Sequence, residues 1–154
     1  MIHEALTRVM DPEIPVCSIT DLGLVEDIAV NDSSIEVTLL PTFVGCPALD
    51  AIREDVEGAL RDVAGDRTVS VSYRYDPPWT TDRMTPAARE ALTSFGIAPP
   101  ATRRLLQIAV PCPLCGSLDT RIESEFGPTP CRTIRYCAAC RNPFEGFKPK
   151  QPEV

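Results

Sequence analysis

Cys112-Pro113-Leu114-Cys115 is followed, after 21 residues that begin with Gly116, by Cys137-Ala138-Ala139-Cys140. Two CxxC pairs about twenty residues apart are the sequence form of a tetrahedral four-cysteine metal site. Each pair supplies two thiolates from one tight turn. Pro113 stiffens the first turn, and Gly116 lets the chain leave it with positive φ. A segment of about forty residues buries too little apolar surface to fold unaided, and a bound metal ion can supply the missing free energy. The spacing therefore predicts a C-terminal zinc ribbon over residues 108–148 with Cys112, Cys115, Cys137 and Cys140 as ligands. Four protein ligands leave no open position, which favours a scaffold or docking module over a catalytic metal.

Working outward, the chain has 154 residues, enough for one compact domain plus a small appendage. Hydrophobic residues make up 44% and charged residues 24%, the balance of a globular protein. No run of eighteen apolar residues occurs, and Met1-Ile2-His3-Glu4-Ala5 has neither a basic nor an apolar leader segment. No membrane association is expected. Seven cysteines without an export signal point to the reducing cytoplasm, where thiols serve metals or chemistry. The net charge of −7 is uneven: residues 1–102 hold 7 Lys and Arg against 17 Asp and Glu, and residues 103–154 hold 8 against 5. Metal-bound thiolates would bring the ribbon close to neutral. That excludes a phosphate-tracking nucleic-acid module, which needs a basic stripe.

Upstream, Ile97-Ala98-Pro99-Pro100-Ala101-Thr102 reads as a Pro-rich break, because Pro99-Pro100 cannot continue a helix. It divides the chain into a first domain (1–99), a hinge (100–107), the ribbon (108–148) and a polar tail (149–154). Leu105, Leu106, Ile108 and Val110 read as a strand entering the first CxxC turn. The first domain has an αββαβα pattern. Ile2, Ala5, Leu6 and Val9 predict a helix over 2–9, stopped by Asp11-Pro12. Val25–Val30 and Ser34–Leu40 predict a hairpin turning at Asn31-Asp32. Pro47 to Val63 carries an apolar stripe of Leu49, Ile52, Val56, Leu60 and Val63, with Gly65 past its end. Thr68–Tyr75 alternates as a third strand, and Thr85-Pro86 opens a helix that Gly96 closes. A strand, crossover helix and strand imply a parallel pair. The expected fold is therefore α/β: a mixed three-stranded sheet with helices, joined to a zinc ribbon.

Cys46 stands out in the first domain. In Leu40-Pro41-Thr42-Phe43-Val44-Gly45-Cys46-Pro47 it lies between a strand end and a helix start, where first-turn N–H groups favour a thiolate. Gly45 leaves room for a ligand, and Thr42 offers a hydroxyl. The alternative reading is a buried small residue filling the helix start. Asp11, Glu13 and Asp21 lie in loops that could neighbour Cys46 as ligands or base, although Asp before Pro is often turn chemistry. His3 is the only histidine and lies in the first helix. Nothing resembles a Cys–His pair, a serine nucleophile elbow or a phosphate loop, so no catalytic residue is assigned. Cys17 and Cys131 read as packed or exposed thiols. Trp79 is expected to plug the loop after the third strand.

Three stretches carry a family resemblance: Asp11-Pro12-Glu13 with Asp21-Leu22-Gly23-Leu24-Val25, Thr42 with Gly45-Cys46-Pro47, and Asp76-Pro77-Pro78-Trp79-Thr80. Over residues 1–97 the chain resembles the SufT-like metal–sulfur cluster assembly family. With the C-terminal ribbon ending in Asn142-Pro143-Phe144-Glu145-Gly146-Phe147-Lys148, it resembles that family's phenylacetate-degradation branch, the PaaD (or PaaJ) proteins. The resemblance implies an accessory protein of the phenylacetyl-CoA ring oxygenase (epoxidase), not an enzyme. It implies help in assembling or inserting iron–sulfur clusters, with Cys46 as the reactive residue and the oxygenase's [2Fe–2S] reductase as client. Partners would be oxygenase components and the iron–sulfur assembly machinery. Cofactors would be a structural zinc and a transient iron or iron–sulfur cluster, the latter labile or shared between the copies of a homodimer. A rubredoxin-like iron centre has similar ribbon spacing. The alternative function is a non-catalytic structural subunit of the oxygenase. Phe144 and Phe147 are expected as exposed docking anchors.

Overall fold

A computed structural model describes residues 1–100 and 110–148. Residues 101–107 of the expected hinge, the expected strand residues Leu105, Leu106 and Ile108, and the tail 149–154 lie outside the described residues. The chain forms two compact units. The first comprises Met1–Trp79 and Arg83–Ala88, and the second comprises Thr80–Asp82 and the chain from Arg89 onward. Among the described residues, no helix is long and apolar enough to cross a membrane.

The first unit begins with helix α1 (Ile2–Thr7) and a small antiparallel pair, β1 (Met10–Asp11) with β2 (Ile14–Ser18). The sequence shows only a Pro-rich stop here. The second strand forms because Asp11 Oδ1 accepts the N–H groups of Glu13 and Ile14 at 2.8 and 3.0 Å, turning the chain tightly around Pro12. The main sheet follows in the order β3 (Val25–Val30), β4 (Ser34–Leu39), β5 (Thr68–Tyr73). β3 and β4 are an antiparallel hairpin, and β4 and β5 are parallel, joined by helix α2 (Leu49–Ala64). This is the expected mixed three-stranded sheet.

Burial explains the register. Ile35, Val37 and Leu39 alternate into the core from β4, each at most 1% exposed. Ile52, Val56, Leu60 and Ala64 recur every fourth residue along α2 and are buried too, so one helix face covers the sheet. Fully burying each of the large side chains contributes about 1.5–3 kcal/mol. Gly65 closes α2 with φ 64°. A loop motif also locks in: Gly23, at φ 71°, passes so close to Arg83 that a Cβ there would lie 2.5 Å from its carbonyl oxygen. Arg83 in turn donates to the carbonyls of Gly23 and Val25 and pairs with Glu26. Trp79 Nε1 donates to Leu22 O at 2.9 Å, which ties the loop after β5 to this one.

Helix α3 (Pro86–Ser94) opens with Thr85 Oγ1 accepting the Ala88 N–H, and the division between units falls inside it, after Ala88. The second unit holds a four-stranded sheet in the order β6 (Ile97–Ala98), β9 (Pro143–Phe147), β8 (Arg132–Cys137), β7 (Thr120–Ser124). Ile97 and Ala98, assigned from sequence to the first domain, thus pair in parallel with the ribbon strand at Glu145 and Gly146. Ala98, Val110, Cys112, Cys137 and Phe144 form a small buried cluster. Phe144 and Phe147 are only 6% and 4% exposed, which corrects the expectation that they are exposed anchors. Phe144 packs into that buried cluster, and Phe147, three residues on and so on the opposite face of β9, is covered as well; the exposed large apolar side chains among the described residues of this unit are instead Phe95, Leu114, Leu118, Ile122 and Phe126.

Candidate metal centre and thiol site

The two CxxC turns are built to one plan. In the first, Cys112 N–H donates to Ser117 O, Gly116 N–H donates to Cys112 O, and Gly116 has φ 75°. In the second, Cys137 N–H donates to Asn142 O, Arg141 N–H donates to Cys137 O, and Arg141 has φ 62°. Each turn thus needs a left-handed residue four positions after its first cysteine. The second turn places an arginine there, a position the sequence reading missed because glycine is the usual signal.

The turns bring the four sulfurs together. Cys112 Sγ and Cys140 Sγ are 3.8 Å apart, Cys115 Sγ and Cys137 Sγ 3.7 Å, and all four lie within 4.8 Å of one another. No disulfide links any cysteine among the described residues. A zinc ion bound tetrahedrally at about 2.3 Å from each sulfur sets the sulfurs about 3.8 Å apart, so the cage fits such an ion. Cys112 and Cys137 are buried against the small core, whereas Cys115 is exposed and Cys140 half-buried. The thiols are unequal. Asn142, through its side chain and backbone N–H, holds Cys140 down to about 7. At Cys115 the Ser117 N–H lowers the thiol, but desolvation and the other three cysteines outweigh it and push it up to about 12. Four crowded thiols cannot all ionise unaided, and a divalent cation removes that conflict.

Cys46 lies in the loop between β4 and α2. The helix starts at Leu49 instead of Pro47, so Cys46 stands three residues ahead of it, with Ala48 at the helix boundary. Its N–H donates to Phe43 O at 3.1 Å, and its carbonyl accepts the Leu49 N–H at 3.5 Å. Thr42 and Cys46 are both half-buried, and Val44 and Gly45 are exposed. The loop leaves the C-terminal end of β4, and Leu39 there is in register with Tyr73 at the end of β5. Tyr73 Oη donates to Leu49 O at 2.7 Å. The Arg53 guanidinium lies 5.4 Å from the Tyr73 ring centroid and 3.7 Å from Asp50. Burial raises the Tyr73 phenol above its usual range, Arg53 eases it back, and Cys46 and Asp50 raise it again. Cys46 is therefore within electrostatic reach of Tyr73. Sequence reasoning did not bring Arg53 and Tyr73 together; the signal was Arg53's place one helical turn beyond Leu49.

The carboxylates have visible structural work. Asp11 is buried and holds its turn. Asp21 accepts from Ser18 Oγ at 2.7 Å and from Thr85 Oγ1 at 3.1 Å. Burial and both of these charges push the Cys17 thiol up to about 11. Cys17 itself is in β2, 1% exposed, with Sγ 3.7 Å from Ala88 O, so it is a packed core thiol. Glu13 is half-buried in the same turn as Asp11. Cys131 is half-buried, 3.3 Å from Thr129 Oγ1. Among the described residues, only the four ribbon cysteines form a converging group of three or more His, Cys, Asp or Glu ligands.

Residues 97–148 match the family model of the PaaD zinc beta ribbon domain, and residues 1–72 match that of iron–sulfur cluster assembly proteins. A protein of Escherichia coli (strain K12), provisionally named as one of the subunits of 1,2-phenylacetyl-CoA epoxidase, is 42% identical over 156 residues, covering 96% of this chain and 92% of the relative. The chain belongs to the PaaD family. The ribbon match of this PaaD-family chain contains all four clustered cysteines, and the assembly match contains Asp11, Glu13, Asp21, Thr42 and Cys46. The Fe-S protein maturation auxiliary factor YitW of Bacillus subtilis (strain 168) is 37% identical over 89 residues, covering 57% of this chain and 86% of the relative. A solved DUF59 domain from Bacillus anthracis superposes with a TM-score of 0.55 at 31% identity, covering 59% of this chain and 87% of that one.

Proposed function

We propose that this protein is a non-catalytic accessory factor of a phenylacetyl-CoA ring oxygenase, acting in the cytoplasm to assemble or insert an iron–sulfur cluster in the oxygenase's reductase. The observation that carries the reading is the pairing, in one chain, of an iron–sulfur assembly match over residues 1–72 with a PaaD ribbon match over residues 97–148. Cys46, with Thr42 beside it and Asp11, Glu13 and Asp21 in the same matched region, is the candidate transfer site. One thiolate is an incomplete set for a cluster that takes four ligands. The cargo would thus be held with ligands from a second copy or from the partner, which makes it easy to release. The ribbon cysteines would hold zinc, whose role is to order the ribbon as a docking module.

The test is the iron content and visible absorbance of the reductase purified from cells with and without this protein. The reading expects a cluster-poor reductase in its absence, reproduced by Cys46→Ala with zinc retained. A fully loaded reductase beside an inactive oxygenase would overturn it and favour a structural component of the oxygenase, as the name of the Escherichia coli relative suggests. Such a component would copurify with the active oxygenase in fixed ratio.

A further inference from the structure

We infer that the open edge of β5 pairs antiparallel with the same strand of a second copy, making one continuous sheet across a two-fold axis at Ser70. Among the described residues, β5 is an outer strand of its sheet. The N–H groups of Thr68 and Arg74 donate to Ser33 O and Leu39 O, so alternate residues bond inward to β4. The peptide groups of Val69, Val71 and Tyr73 therefore point to the open edge. Natural proteins blunt such edges with charges, prolines, bulges or very short strands. The other outer strands described here carry those devices. β3 has Glu26, Asp27 and a register shift between Val25 and Asp27. β7 has Arg121, Glu123 and a shift between Ile122 and Ser124. β2 contains Pro15, and β1 and β6 are each 2 residues long. By contrast, Thr68-Val69-Ser70-Val71-Ser72-Tyr73 has no charge, no proline and an unbroken register with β4.

The occupant is a second copy because the strand complements itself. Outward peptide groups must meet outward groups, so antiparallel pairing sets odd-numbered residues against odd-numbered ones. With Ser70 opposite Ser70 of the other copy, Val69 faces Val71, Thr68 faces Ser72, Arg67 faces Tyr73, and Asp66 comes opposite Arg74. Asp66 and Arg74 are both exposed, so each copy offers a carboxylate to the other's guanidinium. Centring the pairing on Val71 instead sets Asp66 against Asp76, and centring it on Val69 runs Arg74 into Ala64 of α2. The excess of carboxylates over residues 1–102 opposes association at long range, but physiological salt confines that repulsion to about 8 Å. The pairing does not depend on the delivery reading, yet bears on it at one point. It puts the two Tyr73 ends about 20 Å apart along the strands. The Cys46 loop leaves the sheet at that end, so the two Cys46 thiols of this dimer cannot share one cluster. Of the two sources of further ligands, the dimer leaves the partner protein.

The experiment uses the full-length, zinc-loaded protein in about 0.15 M salt. Sedimentation equilibrium at up to about 1 mM protein should show a reversible monomer–dimer equilibrium. Ser70→Lys sets like charges opposite each other across the axis and should weaken dimerisation about fivefold. Ser70 is exposed, so circular dichroism and zinc content should stay at wild-type values. Arg74→Asp disturbs both symmetry-related pairs and should weaken dimerisation about tenfold, and adding Asp66→Arg should restore it. The register has its own test. Ser70→Cys should form a disulfide-linked dimer on mild oxidation, with the link mapped to residue 70 by mass spectrometry, because facing residues on the axis lie about 4.5 Å apart at Cα. Ser72→Cys, which faces Thr68, should not. A monomer at every concentration, or a dimer indifferent to both Ser70→Lys and Arg74→Asp, would overturn the inference. Equal cross-linking by Ser72→Cys would overturn the register and the inference with it. A monomer that binds the oxygenase's reductase, with Ser70→Lys abolishing that binding, would also overturn it and give the edge to a client strand. These readouts do not involve iron, so their failure leaves the delivery reading to its own test.

Discussion

The two CxxC turns make a paired prediction of opposite sign. Gly116 and Arg141 occupy equivalent places, at φ 75° and 62°. A Cβ built on Gly116 meets nothing within 4 Å, so Gly116→Ala tests backbone conformation without a clash. Holding an L-residue in the left-handed region costs about 1–2 kcal/mol. Replacing glycine recovers about 0.4–1 kcal/mol from the unfolded chain. The net loss for Gly116→Ala is about 1 kcal/mol, and Arg141→Gly should gain about the same. Because metal binding and ribbon folding are linked, the changes should appear as zinc affinity about fivefold weaker for Gly116→Ala and about fivefold tighter for Arg141→Gly. Competition against a chromophoric chelator at fixed pH reads both. Unchanged affinity in both variants, or a loss in Arg141→Gly, would refute the claim that the turns share one strained position.

Three further outcomes follow from packing and charge. Gly23→Ala drives a Cβ into Arg83 in a left-handed backbone and should cost about 2–4 kcal/mol, read by denaturant unfolding. Phe144→Ala should cost about 3–5 kcal/mol of ribbon stability, whereas Phe126→Ala, at a ring 85% exposed, should change it by under about 0.5 kcal/mol. Equal effects would contradict the inward-facing assignment of Phe144. Cys17 is protonated more firmly in the folded state, its value rising from 9.0 to about 11, so its contribution is intact below pH 9 and is lost as pH rises towards 11. Stability measured against pH for wild type and Cys17→Ala should converge across that window, and a gap that widened with pH would reverse the sign.

Much of this fold was legible because it rests on local signals. The stripe Ile52, Val56, Leu60 gave α2, the alternation of Ile35, Val37 and Leu39 gave β4, and the paired CxxC spacing gave the metal cage. The failures have two physical causes: a turn closed by a side chain, and a strand partner far away in sequence. β2 was hidden because Asp11 makes its turn with backbone groups beyond Pro12, where proline spacing alone signals a stop. Phe144 and Phe147 are both covered, on opposite faces of β9, an inner strand between β6 and β8, and β6 is drawn from a distant segment that reads as a break.

The Cys46 neighbourhood carries the same lesson into function. Its place before a helix singles the cysteine out through the helix dipole, yet the helix begins only at Leu49, three residues later. What surrounds the loop comes from elsewhere: Tyr73 arrives from β5, 27 residues downstream, through parallel pairing, and Arg53 arrives through the turn of α2. The guanidinium nearest Tyr73 is therefore a side chain set by tertiary structure, with Asp50 as its partner. A side-chain charge can be removed by one substitution, whereas a helix dipole cannot. The alkylation rate of Cys46 followed against pH in wild type and Arg53→Gln separates these two sources of potential: a slower reaction in the variant assigns the thiol's reactivity to tertiary placement, and an unchanged rate returns the explanation to the backbone.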